Sequence, residues 1–167
     1  MPQHTDSLQP VATIQMANAL LLPQVVQLLA EGHTVTLPLR GNSMRPFLHD
    51  GRDKALLERI ESQPAIGDAV LAEVMPSVYM LHRIVAIDSK GNVTMRGDGN
   101  LHAEHCHLSD IRAKATAFYR KGRSVPDSTN GRKWRIYSWW WTRLLPIRRY
   151  LLFILYPHWP ARLKRKK

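Results

Sequence analysis

One cysteine, Cys106, stands among 167 residues. A single thiol excludes an intramolecular disulfide framework and fits a reducing compartment. Long apolar runs are missing too. Residues 17–30 are apolar only in short stretches interrupted by Pro23, Gln24 and Gln27, and residues 1–9 contain no Lys or Arg. The N-terminal part therefore reads neither as a signal peptide nor as a spanning helix. Acidic residues are scarce in one region only: residues 113–167 hold one, Asp127, against fifteen Lys/Arg, whereas residues 1–112 hold twelve against nine. The net charge of +11 is thus a tail of about +14 on a body of about −3. All five tryptophans, Trp134, Trp139, Trp140, Trp141 and Trp159, also lie in that tail.

The length suits one compact domain with an appendage. Residues 1–9 read as a flexible start and 10–31 as helical, with Pro23 in the first turn of a shorter helix that ends at Gly32. Alternation predicts strands over 33–39, 54–59, 69–74, 79–87, 93–96 and 110–120, separated by Gly-rich turns. In the clearest of them, Met80, His82, Ile84 and Ala86 share one face and Leu81, Arg83, Val85 and Ile87 the other. The expected fold is mainly β, a small coiled barrel or sandwich spanning 33–120 behind an N-terminal helical segment, 1–32. A polar stretch, 121–132, reads as a linker. Beyond it, 133–167 reads as two short amphipathic helices broken by Pro146 and closed by Pro157 and Pro160.

Three segments carry candidate chemistry in order: Gly41-Asn42-Ser43-Met44-Arg45-Pro46, then His82-Arg83-Ile84, then Gly97-Asp98-Gly99-Asn100. A serine hydroxyl attacks a carbonyl at neutral pH only if a base takes its proton, and an imidazole oriented by a carboxylate is a common solution. Ser43, His82 and Asp98 supply those three parts. Taken alone, each has a plainer reading: Ser43 as a helix cap, His82 as a packed strand residue, Asp98 as the cap of its own turn. Arg83 and Asp68 read as structural, pairing charges or closing turns.

The three segments together resemble the signal peptidase and LexA-like serine peptidases, over roughly residues 33–118. That family has its nucleophile in a G-x-S-M-x-P box. The His82-Arg83-Ile84 setting is similar to the Ser-His branch found in archaeal and endoplasmic-reticulum signal peptidases, where other branches use lysine. The resemblance implies Ser43 as nucleophile, His82 as general base, Asp98 as its supporting acid, and Glu104 at the place of a second acidic residue six positions on. It implies an oxyanion site built from main chain around Asn42, Ser43 and Met44, because Gly41 stands where some members carry a hydroxyl. No cofactor is implied. The family's usual membrane anchor ahead of the serine box has no counterpart in residues 1–40.

His102, Glu104, His105, Cys106 and His107 are the only cluster of metal-ligating types. They crowd into six residues, match no standard zinc spacing, and read as a solvated His-rich turn rather than a metal site. The basic tail invites a nucleic-acid reading, but Leu144, Leu145, Ile147 and the run 151–155 serve lipid better than phosphate. No nucleic-acid partner is expected. Residues 133–167 instead read as lying on an anionic membrane surface, with arginines near phosphates and Trp rings at headgroup level, and with packing of part of the tail back on the body as the alternative. Arg148 and Arg149 in the apolar run argue against spanning. The expectation is a serine endopeptidase at the cytoplasmic face of the cell membrane that cleaves a leader or precursor segment. The alternative is a non-catalytic, membrane-associated peptide-binding module on the same fold.

Overall fold

The computed structural model describes residues 18–155. It comprises helix α1 (Asn18–Ala30), strands β1 (Val35–Pro38), β2 (Lys54–Glu58), β3 (Ala69–Met75), β4 (Val78–Ile87), β5 (Asn92–Arg96), β6 (Glu104–His107), β7 (Ile111–Tyr119) and β8 (Asp127–Ser128), and helices α2 (Arg132–Arg143) and α3 (Arg148–Leu155). The fold is mainly β, as expected. The strands form one antiparallel sheet in the order β1-β2-β7-β3-β4-β5-β6, with β8 added to β7. Register shifts at Leu56/Leu57, Leu71/Ala72, Glu73/Met75 and Ile84/Ala86 interrupt the ladders. Such bulges bend a strand and sharpen its twist. The sheet coils enough for β6 to approach β3, three strands away in the order, within 8 Å.

Helix α1 buries Leu22, Val25 and Leu29 on one side. It ends at Gly32, whose φ of 90° lets Gly32 N–H and His33 N–H turn back to the Leu29 and Leu28 carbonyls. Pro23 is inside this helix rather than in its first turn. The helix is already formed at Asn18, five residues ahead of the proline, and Leu21 and Leu22 there pack on the body. One core cluster joins α1 to Met44, Phe47 and Leu48 of the serine box, to β2, β3 and β7, and to Trp134. A smaller cluster of Val70, Ala72, Ile84, Val93, Met95 and Ile111 fills the other end of the coil.

Two expectations need correction. The stretch read as a His-rich turn is strand β6, paired residue for residue with β5 from Asn92↔His107 to Met95↔Glu104. Helices α2 and α3 form on either side of Pro146, but they are not simply a tail. Trp134, Ser138, Trp141, Arg148 and Leu152 are buried. The linker is partly ordered: β8 pairs with β7, and Asp127 accepts from Arg120, Arg123 and Lys133 at 2.6, 3.1 and 3.1 Å. The flexible start expected at 1–9, and Pro157, Trp159 and Pro160, lie outside the described residues.

Candidate active site

The serine box follows β1 directly. Leu39 N–H donates to the Asp53 carbonyl and Gly51 N–H to the Leu39 carbonyl, closing residues 40–50 into a loop. Gly41, at a φ of 84°, turns the chain there and donates its N–H to Asp50 Oδ1 at 2.9 Å. Buried Met44, Phe47 and Leu48 anchor the far side of the loop. Ser43 between them is half-buried. A capping Ser43 would accept from an N–H two or three residues on. Arg45 N–H goes instead to the Asn42 carbonyl, and Pro46 has no N–H. Among the described residues, neither the Ser43 hydroxyl nor its N–H has a hydrogen-bond partner.

His82 is buried on β4, opposite Val70 of β3. Its Nδ1 is 2.9 Å from Glu104 Oε2. Sheet register explains the pairing: Ile84 faces Met95, and Met95 faces Glu104, so His82, two residues before Ile84, shares their face one step along the strand. With Nδ1 occupied by a carboxylate, the imidazole presents Nε2 as its free nitrogen.

Asp98 does not hold this imidazole. Both its oxygens are taken by Arg83, from Nε at 2.9 Å and from Nη2 at 2.7 Å, and Tyr137 adds its hydroxyl at 3.0 Å. Asp98 and Arg83 are almost wholly buried. Arg83 points to the side of β4 away from His82 and is sandwiched further: Nη1 donates to the Gly67 carbonyl and Ser138 Oγ, and the guanidinium lies 4.4 Å from the Trp134 ring centroid. Burial works against the Arg83 cation, but Asp98 more than offsets it, and the group stays firmly charged. The same burial, with Asp98 beside it, pushes the Tyr137 hydroxyl far above its ordinary range and keeps it a proton donor. The task of Asp98 is to hold a turn.

That turn fixes Ser43. Gly99 N–H donates to the Ser43 carbonyl at 2.6 Å. A Cβ at Gly97 would come within 2.5 Å of the Ser43 carbonyl oxygen and 2.9 Å of Ser43 Cβ, so only glycine permits the approach. The other side of the turn is clasped by the C-terminal helices. Trp141 Nε1 and Arg148 Nε donate to the Asp98 carbonyl at 2.9 and 2.7 Å, and Arg148 Nη2 to the Gly97 carbonyl at 2.7 Å. Sequence reasoning missed Tyr137, Ser138, Trp141 and Arg148 as parts of the site. Their signal was the spacing of Trp134, Tyr137, Ser138 and Trp141, one side of a helix.

Ser43, His82 and Glu104 line one cavity of about 500 Å³. Its walls are largely aliphatic, from Leu21 and Leu22 of α1 to Leu71 and Leu81 of β3 and β4, with Arg40, His49 and Asn100 as polar members. Burial and the nearby Arg52 and Arg45 push the His49 imidazole below its ordinary value, which favours its neutral form. No hydrogen bond joins Ser43 to His82 among the described residues; such contacts commonly close only around substrate.

Strand β6 disperses the metal-ligating types. Glu104 and Cys106 are half-buried on one face, while His105 and His107 are exposed on the other. His107 caps the following turn through Ser109 and Asp110. Burial and Asp110 push the Cys106 thiol up, away from a reactive thiolate. Among the described residues, no group of three or more His, Cys, Asp or Glu converges to hold a metal ion. No known family model matches the chain, and no curated protein gives a significant match to it.

Proposed function

We propose that the protein is a serine endopeptidase of the signal peptidase-like class, acting at a membrane surface on an extended precursor or leader segment. The observation that carries this reading is one cavity shared by Ser43, whose hydroxyl has no hydrogen-bond partner among the described residues, and a His82 whose Nδ1 is held by Glu104. His82 Nε2 takes the proton from Ser43 Oγ as the hydroxyl attacks the scissile carbonyl. The unpartnered Ser43 N–H is available to the oxyanion. The histidine then protonates the leaving amine, and in the second half it draws a proton from the water that releases the acyl group. Glu104 orients the ring and balances the imidazolium. The aliphatic cavity walls suit an apolar segment in extended form.

The described residues contain no helix long and apolar enough to cross a membrane. The charge and exposed aromatics of α2 and α3 favour peripheral attachment, on the cytoplasmic face if the positive charge meets anionic lipid there. The missing Ser43–His82 hydrogen bond favours a second reading, a peptide-binding module without turnover. Labelling with a fluorophosphonate, read by mass spectrometry at Ser43, together with a comparison of proteome N-termini between wild type and Ser43→Ala, separates the two. A Ser43 adduct that requires His82, and N-termini unique to wild type, are expected. Folded protein without either result would leave the binding module.

A further inference from the structure

Helix α2 is apolar on two opposite sides. Trp134, Tyr137, Ser138 and Trp141 turn inward onto the Asp98 network, whereas Ile136, Trp139, Trp140 and Arg143, at the same spacing half a turn away, face out. Trp139 and Trp140 are 49% and 55% exposed. Helix α3 repeats the arrangement: Arg148 and Leu152 are buried, while Tyr150, Phe153 and Ile154, on the opposite side, are 67%, 71% and 73% exposed. No carboxylate follows Asp127 in the sequence. Exposed aromatics and aliphatics flanked by Arg135 and Arg143, without acidic neighbours, match anionic lipid in both polarity and charge.

Over its described residues, helix α3 turns a narrow side inward, with Arg148 and Leu152 as its buried members. Its main polar contact is the Arg148 clasp on the Gly97 and Asp98 carbonyls. Asp98 already balances Arg83, and burial pushes the Arg148 guanidinium down to about 10. Seating α3 thus carries a desolvation cost for Arg148, set against its bonds to the two carbonyls, the Asp98 carboxylate at 3.8 Å and the Trp141 ring at 5.1 Å. A bilayer takes up Tyr150, Phe153 and Ile154 most readily when they form one side of a helix with its backbone groups paired, and that same helix directs Arg148 the other way, at the turn. Lipid therefore favours the seated form over the unseated one.

From this geometry we infer that the outer sides of α2 and α3 dock on an anionic bilayer, and that docking seats Arg148 on the Gly97–Asp98 turn and so organises Ser43. The inference rests on the membrane-peripheral reading above. It makes lipid contact a positioning event for the candidate nucleophile as well as an anchor.

The test uses the full chain with vesicles of phosphatidylcholine alone or mixed with phosphatidylglycerol, read by flotation and by hydrogen exchange at the amides of residues 97–100. Gly99 N–H reports directly, because it bonds the Ser43 carbonyl. Wild type is expected to float with the anionic vesicles only, and exchange at Gly99 to slow about fivefold or more on binding. The exposed-side variant Tyr150→Ser/Phe153→Ser/Ile154→Ser loses both effects, whereas Arg148→Met floats without the slowing. Flotation of wild type without slower exchange overturns the coupling and leaves the membrane reading standing. Failure to float overturns both, and equal flotation with neutral vesicles overturns the anionic partner. Slowed exchange with no adduct at Ser43 overturns the peptidase reading alone.

Discussion

The two acidic residues of the site have different neighbours, and exchanging each for its amide separates their roles. In Glu104→Gln the amide can donate to His82 Nδ1, which favours the tautomer with its proton on Nε2, unable to accept from Ser43. The loss expected is about 10² to 10⁴ in the Ser43 labelling rate, or about 3 to 5 kcal/mol of barrier. The pair is largely buried, with the side chains of His82 and Glu104 5% and 21% exposed, but the amide keeps a hydrogen bond to Nδ1, so the loss of stability is expected to be smaller than in Asp98→Asn. Asp98→Asn does the reverse. It leaves Arg83 and Arg148, 1% and 2% exposed at their side chains, without their carboxylate. Removing one partner of a buried pair costs about 3 to 5 kcal/mol. At roughly 2 to 4 °C per kcal/mol for a chain of this size, the melting temperature falls by about 6 to 20 °C. The assay is fluorophosphonate labelling below the transition, beside calorimetric melting. A normal labelling rate in Glu104→Gln, with a large loss in Asp98→Asn at unchanged melting temperature, would refute the assignment and return the orienting role to Asp98.

Gly97→Ala inserts a methyl group 2.5 Å from the Ser43 carbonyl oxygen, a backbone atom that can yield only if the serine loop moves. A loss of about 1 to 3 kcal/mol in stability is expected, with Ser43 labelling reduced further than the residual folded fraction explains. Acid stability tests Asp53. Burial alone would raise its carboxyl, but hydrogen bonds from Arg52 and from the His49 and Lys121 N–H groups outweigh that and hold it below the ordinary value of 3.8. Its contribution is complete above that unfolded value and is lost as pH falls through the lower folded one. The melting temperature should therefore fall below about pH 4, less steeply in Asp53→Asn; an identical slope in the variant would exclude Asp53 as a source.

Local patterns were legible where local physics decides them. Side-chain patterning located β2, β3, β4, β5 and β7 to within a residue or two; burial alternates along β2, β5 and β7, whereas β3, covered on both faces at its start, buries Ala69 to Ala72 in a row. The stretch 104–107 defeated that logic. Its Glu-His-Cys-His lettering contains no apolar run, and β6 exists because β5 offers an open edge. Similarly, Pro23 marked a helix start by propensity, yet packing of Leu21 and Leu22 carries the helix past it. In the tail, the tryptophans and arginines suggested lipid, and Arg135, Trp139, Trp140 and Arg143 are exposed as such a reading requires. Trp141 and Arg148 are spent on the Asp98 turn.

The sequence by itself determined that residues 33–120 are mainly β, that a hydroxyl, an imidazole and two carboxylates occur in a fixed order, and that the positive charge sits at one end. Each is a property of composition or of spacing along a single element. Only the tertiary structure decided which carboxylate meets the imidazole. Asp98 is nearer in sequence, but residues 82 and 83 point to opposite sides of β4, so Arg83 claims Asp98 while the register through β5 delivers Glu104 to His82. Likewise, nothing along the chain links Trp141 and Arg148 to Ser43. They meet because a coiled sheet brings the 97–100 turn between the serine loop and the C-terminal helices, and the buried Gly97 and Asp98 carbonyls there require donors.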